Sequence, residues 1–212
     1  MSDLVIAAAG GFGRELAAYA RDAGFAITGF LDDDANAAAQ LAGDDASVGV
    51  RGTITDYEPG SEDERVAIGV GHPEARLRVA DALIARGARL ATVVHPSAWV
   101  APTATLGSGV ALAPFSCVGP QVVVGDLALL NTYASLGHDA VVGRGCVFSS
   151  YAVATGHTTL GDAVFLGTAA VVAPGQQVGD RARISAGAVA FHQVPAGHLA
   201  AGNPARSRAV PA

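Results

Sequence analysis

Charged and aromatic side chains are scarce in this sequence. Of its 212 residues, 15% are charged and 6% are aromatic, while 50% are hydrophobic, and the net charge at pH 7 is −6. An acidic chain with few cations is a poor partner for a phosphate backbone, so we expect no nucleic-acid partner. The high apolar fraction predicts a well-filled core spread over one or two domains.

Long hydrophobic runs and cysteines are also lacking. No apolar stretch approaches about 20 residues without a charge or a glycine, so we expect no membrane span. Residues 4–9 are apolar but too short for a signal peptide, and no basic segment precedes them, so we expect a cytoplasmic protein. The two cysteines, Cys117 and Cys146, cannot form a disulfide framework. We expect both to be reduced and buried in equivalent small-residue positions of the repeat described next.

A repeat of six residues continues from Val94 to Ala190 without a slip. All seventeen positions in its register are apolar, and fourteen of them are Val, Leu or Ile. They are Val94, Val100, Leu106, Leu112, Val118, Val124, Leu130, Leu136, Val142, Phe148, Ala154, Leu160, Leu166, Val172, Val178, Ile184 and Ala190. A period of six does not keep one helical face apolar, and it predicts a parallel β-helix of about five coils with three short strands each.

The repeat also predicts where each side chain lies. The aliphatic residue points into the coil and stacks on its counterpart one coil further on, and the mostly small residue two positions before it fits near a corner. The glycine that often follows the aliphatic residue is expected to supply unusual backbone dihedral angles at the corners. Stacked coils bury a continuous core, so neither end of the solenoid stands uncovered.

The first 90 residues have a different rhythm, which predicts a Rossmann-like α/β domain. Apolar runs at 4–9, 26–31 and 66–70 predict parallel strands, and residues 14–23 and 73–86 predict helices. Residues 10–13 form a glycine loop, and residues 35–64 are expected to be loop-rich. We therefore divide the chain into a domain at 1–90, a β-helix at 91–190 and a tail at 191–212.

The glycine loop of this domain is an imperfect dinucleotide fingerprint. The G-x-G-x-x-G frame falls on Ala8, Gly10 and Gly13, and Asp32 and Asp33 follow about 20 residues later, where a ribose contact belongs. One such half-unit is too small for a redox NAD domain, so we expect a binding site for a nucleotide sugar. The alternative is a close-packed turn without a ligand.

His138 is the candidate catalytic residue of the solenoid. It lies two positions after Leu136, near a corner, and Asp139 follows it. An imidazole that titrates near neutrality can accept the proton of an amine or hydroxyl as it attacks a thioester, and a carboxylate can orient the ring. Asn131 could add a second polar contact. The alternative is a surface histidine at a corner.

The sequence does not predict a metal site or a covalent nucleophile. His157 lies nineteen positions after His138, but the spacing of the trimeric zinc β-helix enzymes needs a further histidine where Asp162 stands. We therefore expect no metal, and we interpret His157 as a solvated neighbour of the site. G-x-S-x-G is absent, which favours direct transfer from a bound acyl donor over an acyl-enzyme.

Together these residues resemble the sugar acyltransferases that include sialic-acid O-acetyltransferases and UDP-amino-sugar N-acetyltransferases, the NeuD/PglD group. The resemblance covers nearly the whole chain. It is carried by the segments Gly10-Gly11-Phe12-Gly13, Phe30-Leu31-Asp32-Asp33, Ala67-Ile68-Gly69, His95-Pro96-Ser97-Ala98, Asn131-Thr132, His138-Asp139 and Gly202-Asn203-Pro204-Ala205-Arg206.

The resemblance implies a left-handed parallel β-helix, a homotrimer and acetyl-CoA as co-substrate in a groove between adjacent solenoids. It implies that His138 is the general base and that Asp139 supports it, and we include Asn131 in the candidate catalytic set as the second polar contact. The positions where this group contacts acetyl-CoA correspond to Gly156, Thr168 and Ala186. Asn203 and Arg206 belong to its closing signature, and we assign them to the cofactor site as well. The positions where this group binds the nucleotide correspond to Gly10, Gly11, Asp32, Asp33 and Gly69.

Two positions depart from the pattern of this group. A histidine that the group often has in the glycine loop is Phe12, and a second histidine nine residues after the base is Val147. We expect N-acetylation of a nucleotide-linked amino sugar. The alternatives are O-acetylation of a sialic-acid-type sugar, or a non-catalytic β-helix that binds a sugar nucleotide.

Overall fold

The computed structural model describes residues 3–209 and has an N-terminal α/β domain where the sequence predicts one. Its elements, in chain order, are β1 (Asp3–Ala7), α1 (Gly11–Asp22), β2 (Ala26–Leu31), a 3-10 turn (Ala37–Gln40), α2 (Asp44–Val48), β3 (Val50–Gly52), β4 (Arg65–Ile68) and α3 (Pro73–Ala85). The four strands are parallel and lie in the order β3-β2-β1-β4. The carboxyl ends of β1, β2 and β4 therefore share one edge of the sheet.

The domain differs from the sequence prediction in two places. Helix α1 begins at Gly11, so the predicted glycine loop is mostly the first turn of a helix whose N-cap is Gly10. The segment at 35–64 also holds the short α2 and β3, which carry no clear periodicity. Glu64 ties this segment together, since it accepts hydrogen bonds from Arg51, from the Tyr57 hydroxyl and from the Gly60 N–H. Burial opposes its ionisation, but these hydrogen bonds hold the pKa of Glu64 below its usual range.

The rest of the chain is a left-handed parallel β-helix, as expected. Its strands are two residues long up to Ala190. They are β5 (Val93–Val94), β6 (Trp99–Val100), β7 (Thr105–Leu106), β8 (Ala111–Leu112), β9 (Cys117–Val118), β10 (Val123–Val124), β11 (Leu129–Leu130), β12 (Ser135–Leu136), β13 (Val141–Val142), β14 (Val147–Phe148), β15 (Val153–Ala154), β16 (Thr159–Leu160), β17 (Phe165–Leu166), β18 (Val171–Val172), β19 (Gln177–Val178), β20 (Arg183–Ile184) and β21 (Val189–Ala190).

A terminal hairpin follows, formed by β22 (His198–Gly202) and β23 (Ala205–Ala209). Strand β22 pairs with β20, so the solenoid continues beyond the boundary at 190 that the repeat alone marks. The hairpin covers this end of the core, as the stacking argument requires.

The solenoid strands form three sheets. The first contains β5, β8, β11, β14, β17 and β20, with the terminal hairpin at its end. The second contains β6, β9, β12, β15, β18 and β21, and the third contains β7, β10, β13, β16 and β19. We call the turns between the first and second sheets the first corner, those between the second and third sheets the second corner, and those that return to the first sheet the third corner.

The core confirms the predicted register. Each aliphatic residue from Leu112 onward is buried, and the small residues two positions before them, such as Ala134 and Ala152, are fully buried. The two cysteines are not equivalent, contrary to expectation. Cys146 occupies a small-residue position and is buried, which raises its pKa to about 12, whereas Cys117 directly precedes Val118, points outward from β9 and is half-buried.

The repeat glycines serve a different purpose from the one expected. The residues with positive φ stand three positions after each aliphatic residue, and most of them are not glycine. The glycine that follows the aliphatic residue instead allows close approach of neighbouring coils. A Cβ on Gly137 would lie 2.5 Å from the backbone nitrogen of Gly156. Close packing between coils, rather than dihedral strain, therefore requires these glycines.

The N-terminal domain covers the first solenoid sheet. Outward-facing Ala111, Leu129 and Val147 are buried in one cluster with residues of β1 and α1, and Phe165 packs against it. This contact sets the position of the α/β domain relative to the coils. Among the described residues, no helix has the length and apolar character needed to cross a bilayer.

Candidate acyl-transfer site

His138 and Asp139 lie together at the second corner. The His138 Nδ1 and the Asp139 Oδ2 are 2.8 Å apart, and Asp139 has a positive φ of 59°. The imidazole is 59% exposed while the carboxylate is 35% exposed. An ionised Asp139 holds the ring proton on Nδ1, which leaves the lone pair of Nε2 free to accept a proton.

The coil above His138 contributes Gly156 and His157. A Cβ placed on Gly156 would lie 2.6 Å from His138 Nε2, so the imidazole occupies the space that a side chain at 156 would take. The His157 ring meets the His138 ring edge to face at a centroid distance of 4.9 Å, and its Nδ1 lies 3.9 Å from the same Asp139 oxygen. The sequence placed His157 near the site but did not predict the contact between the rings.

The other predicted residues of the solenoid lie at a different corner. Asn131, Thr168 and Ala186 all stand at the first corner, where Asn131 is half-buried and the other two are exposed. Within the described part of the chain, Asn131 makes no hydrogen bond to His138. The predicted catalytic and donor residues thus fall on the two corners that border the second sheet.

The first corner also carries a ladder of aromatic rings that the sequence analysis missed. Phe115, Tyr133 and Tyr151 stack with centroid separations of 5.0 and 4.9 Å and near-parallel planes, and each is about half exposed. We call these three residues the aromatic ladder. Their spacing of one coil was visible in the repeat, because each stands three positions after an inward-facing residue.

The predicted nucleotide residues cluster at the carboxyl edge of the N-terminal sheet. Gly10 and Gly11 have open space where a Cβ would stand, and helix α1 begins here with no side-chain cap and no acidic residue in its first turn. An uncapped helix N-terminus of this kind attracts anions such as phosphate. Gly69, in contrast, is buried against Gly13 and the Ala7 carbonyl, so its lack of a side chain serves packing.

Both acidic residues after β2 are engaged within the protein. Asp32 accepts a hydrogen bond from the Ala9 N–H at 2.8 Å, which fixes the turn before the helix. Asp33 accepts from the backbone N–H groups of Ile54 and Thr55 through one oxygen. That bonding leaves the second carboxylate oxygen of Asp33 available at the edge of the sheet.

The remaining predicted positions lie apart from these clusters. Asn203 is in the turn of the terminal hairpin and Arg206 is on β23, and both are exposed. Phe12 lies in the first turn of α1 and is partly buried. Val147 is 1% exposed between the first sheet and the N-terminal domain, so this position is an apolar contact here rather than part of the imidazole cluster.

Arg76 is a buried cation that the sequence analysis did not single out. It is fully buried on α3 and donates to the carbonyl oxygens of Ile68 and Val70 in the N-terminal domain and of Gly109 and Leu127 in the solenoid. Burial lowers its pKa to about 9, so the guanidinium is charged at neutral pH and bonded to backbone oxygens alone.

Comparisons with known proteins agree with this architecture. Residues 3–83 match the family of PglD N-terminal domains. No curated protein sequence matches the chain. The acetyltransferase domain of PglB from Neisseria gonorrhoeae FA1090 is 29% identical, with a TM-score of 0.88 over 98% of this chain and 100% of that one. The same domain in complex with acetyl coenzyme A gives a TM-score of 0.86 at 29% identity, over 98% and 99% of the two chains.

Two further structures extend the comparison. PerB from Caulobacter crescentus, in complex with CoA and GDP-perosamine, is 26% identical with a TM-score of 0.87 over 98% of each chain. WeeI from Acinetobacter baumannii AYE is 24% identical, with a TM-score of 0.84 over 98% of this chain and 100% of that one, and it supports the fold alone. The resemblance to the NeuD/PglD group that the sequence suggested is confirmed.

Proposed function

We propose that this chain transfers the acetyl group of acetyl-CoA to the amine of a nucleotide-linked sugar, with His138 as the general base. The observation that carries the proposal is the exposed imidazole whose Nδ1 is held 2.8 Å from Asp139. Similarity supports both substrates, because the related PglB domain was solved with acetyl coenzyme A and PerB with CoA and GDP-perosamine.

The chemistry follows from the orientation of the ring. The acceptor amine attacks the thioester carbonyl carbon while His138 Nε2 takes a proton from the nitrogen, and Asp139 stabilises the imidazolium that forms. The tetrahedral oxyanion is stabilised by backbone N–H donors. It then collapses, the carbon–sulfur bond breaks, and the proton on His138 neutralises the CoA thiolate as it leaves.

A homotrimer would complete this site. The first sheet is covered by the N-terminal domain, whereas the outward residues of the second sheet, among them Trp99, Val153, Val171 and Val189, are largely apolar. If the second sheets of three copies face a common axis, the first corner of one copy meets the second corner of the next. Asn131, Thr168 and Ala186 of one copy then stand opposite His138 and Gly156 of its neighbour.

The N-terminal sheet edge is the proposed site of the sugar nucleotide. The open glycines Gly10 and Gly11 and the uncapped end of α1 suit a diphosphate, and Asp33 has a free oxygen for a ribose hydroxyl. Since Phe12 and Val147 replace histidines of related enzymes, we infer that the departures concern the acceptor sugar more than the donor.

Replacing His138 with Ala tests the mechanism. General-base contributions run to about 10²–10⁴-fold, so we expect kcat to fall by that factor. Acetyl-CoA should bind with unchanged affinity, because its proposed contacts are mostly backbone groups. Asp139→Asn should cause a smaller loss, since its amide still accepts a hydrogen bond but no longer stabilises imidazolium. Thiol release with a panel of nucleotide amino sugars measures the rate, and calorimetry with acetyl-CoA measures binding.

An exposed histidine elsewhere supplies the control. His192→Ala, beyond the last two-residue strand, should leave kcat unchanged. A folded His138→Ala protein with full activity would refute the mechanism. A wild-type protein that binds sugar nucleotide but releases no thiol with any acceptor would favour the non-catalytic alternative.

A further inference from the structure

Three potential metal ligands converge at the second corner. The ligand atoms of His138, Asp139 and His157 all lie within 4.8 Å of one another. His138 Nδ1 is 2.8 Å and His157 Nδ1 is 3.9 Å from the same Asp139 oxygen. We propose that this triad is an inhibitory binding site for a divalent transition metal such as Zn²⁺, and not a cofactor site.

The distances suit a small tetrahedral ion. Zn–N and Zn–O bonds of about 2.0–2.2 Å place neighbouring ligand atoms about 3.3–3.5 Å apart. The two observed separations lie on either side of that value. His138 and His157 are 59% and 67% exposed, so both rings are free to make the small rotations that equalise the distances.

The ligand set favours zinc-like ions over magnesium or calcium. Two imidazoles and one carboxylate are the donors that zinc takes in many proteins, whereas the hard cations prefer oxygen ligands only. Three protein ligands leave a fourth position for water. Asp139 supplies the single negative charge that offsets part of the ion's charge.

Metal binding at Nδ1 would remove the base. In the active form His138 carries its proton on Nδ1 and a lone pair on Nε2. When a metal takes the Nδ1 lone pair, the Nδ1 proton is displaced and the neutral ring carries its proton on Nε2. That nitrogen then has no lone pair for the proton of an acceptor amine. This part of the inference rests on the proposed function, while the binding of the metal does not.

Calorimetry with Zn²⁺ alone, on the untagged full-length chain in metal-free buffer, tests the site directly. We expect one high-affinity Zn²⁺ per chain, and an affinity lower by at least about 100-fold in His157→Asn, since even outer-shell ligand partners are worth 10–100-fold. The matched control is His72→Asn. His72 pairs with Glu74 at 3.0 Å, so this histidine–carboxylate pair resembles the triad but offers one imidazole instead of two. Co²⁺ gives a second readout, since tetrahedral binding produces visible absorption bands that His157→Asn should abolish.

Thiol release then tests the consequence. Zn²⁺ should inhibit the wild type and His72→Asn equally, and the rate of His157→Asn, expressed relative to its own metal-free rate, should resist inhibition. No Zn²⁺ bound to the wild type, or unchanged Zn²⁺ affinity in His157→Asn, would overturn the proposal. Bound Zn²⁺ that leaves the reaction rate unchanged would overturn its inhibitory part. If no acceptor is acetylated at all, the proposed function fails while calorimetry and the Co²⁺ spectrum still decide the metal site.

Discussion

Gly156 controls the space around the candidate base. Its position is one coil above His138, and the imidazole nitrogen Nε2 fills the volume next to its Cα. The backbone of Gly156 does not have positive φ, so an alanine there would fit the local conformation. A methyl group at 156 would therefore act on the ring of His138 and not on the fold.

We expect Gly156→Ala to lower kcat by about tenfold or more, because the ring must rotate away from a contact of 2.6 Å and misdirect Nε2. The thermal midpoint should stay close to that of the wild type. Rate measurements on Gly156→Ala, on His138→Ala and on the double variant check this.

In the His138→Ala background the added methyl should have no further effect on kcat. If the loss appears only as a higher KM for acetyl-CoA, then Gly156 serves the donor and not the base.

The pairing of His138 with Asp139 was predictable because the residues are adjacent. The contact of Gly156 with His138 was not recognised, although both belong to the same register of the repeat. Asn131 was grouped with His138 as a second polar contact seven positions earlier in the chain, yet a single chain holds the two at different corners. Sequence proximity does not tell which corner of one copy faces which corner of the next in the proposed trimer.

The loop after β2 places its acidic residues at the edge of the N-terminal sheet, where we propose that the sugar nucleotide binds. Asp33 holds the turn at Ile54 and Thr55 with one carboxylate oxygen and presents the other at the sheet edge. In the proposed function the Asp33 side chain therefore both supports the turn and contacts the ligand, and a suitable substitution must separate these two roles.

Asp33→Asn separates these two roles, since its amide oxygen still accepts the backbone hydrogen bonds while its charge is lost. We expect Asp33→Asn to raise the KM for the sugar nucleotide by about tenfold and Asp33→Ala to raise it further, with acetyl-CoA affinity nearly unchanged in both. Steady-state kinetics with each substrate varied in turn measures the two effects. Equal weakening of both substrates would contradict the assignment of this pocket.

Arg76 connects the two domains through backbone oxygens. Four carbonyl groups, two from each domain, accept hydrogen bonds from its guanidinium. A charge buried without an acidic partner is costly, and here the carbonyl dipoles offset that cost.

Arg76→Met should lower the free energy of unfolding by about 3 kcal/mol, because it leaves buried carbonyl oxygens without donors. Urea denaturation followed by circular dichroism measures the change. Arg208→Met, at an exposed position of β23, is the control and should change stability by less than about 0.5 kcal/mol. A similar loss in both variants would show that the carbonyl contacts of Arg76 have no special weight.

The strands and helices with strong periodicity were predictable, including both helices on the faces of the N-terminal sheet and every strand of the repeat. Strand β3 was missed because its three residues, Val50 to Gly52, are too few for a pattern and depend on pairing with β2. Arg76 was missed because an arginine on a predicted helix ordinarily faces water.

In the proposed trimer, the outward face of the second sheet forms the contact between the three copies. This face is more apolar than that of the third sheet, where Thr105, Thr159 and Gln177 stand on either side of exposed Val123 and Val141. The proposed trimer buries the outward face of the second sheet and leaves that of the third sheet exposed.

We expect light scattering to give about three times the chain mass of 21.1 kDa at micromolar concentration. Val153→Glu on the second sheet should shift the mass toward one chain and abolish activity, because a buried charge at the interface is unpaired. Val141→Glu on the third sheet is the matched control and should remain trimeric and active. A wild-type protein that scatters as a single chain would rule out the assembly.

The N-terminal domain covers only part of the solenoid, and this has a consequence for local unfolding. Its apolar packing reaches the coil of Phe165, and beyond it Arg183 makes polar contacts at the surface. Since each coil of a solenoid gains stability from its neighbours, we expect the last coils, which only the terminal hairpin covers, to open at lower free energy than those beneath the domain. His138 lies in the coils that the N-terminal domain covers. Thr168 lies at the limit of these coils, and Ala186 lies beyond it. On the proposed function, opening of these last coils would admit the donor and release the product while His138 stays in place.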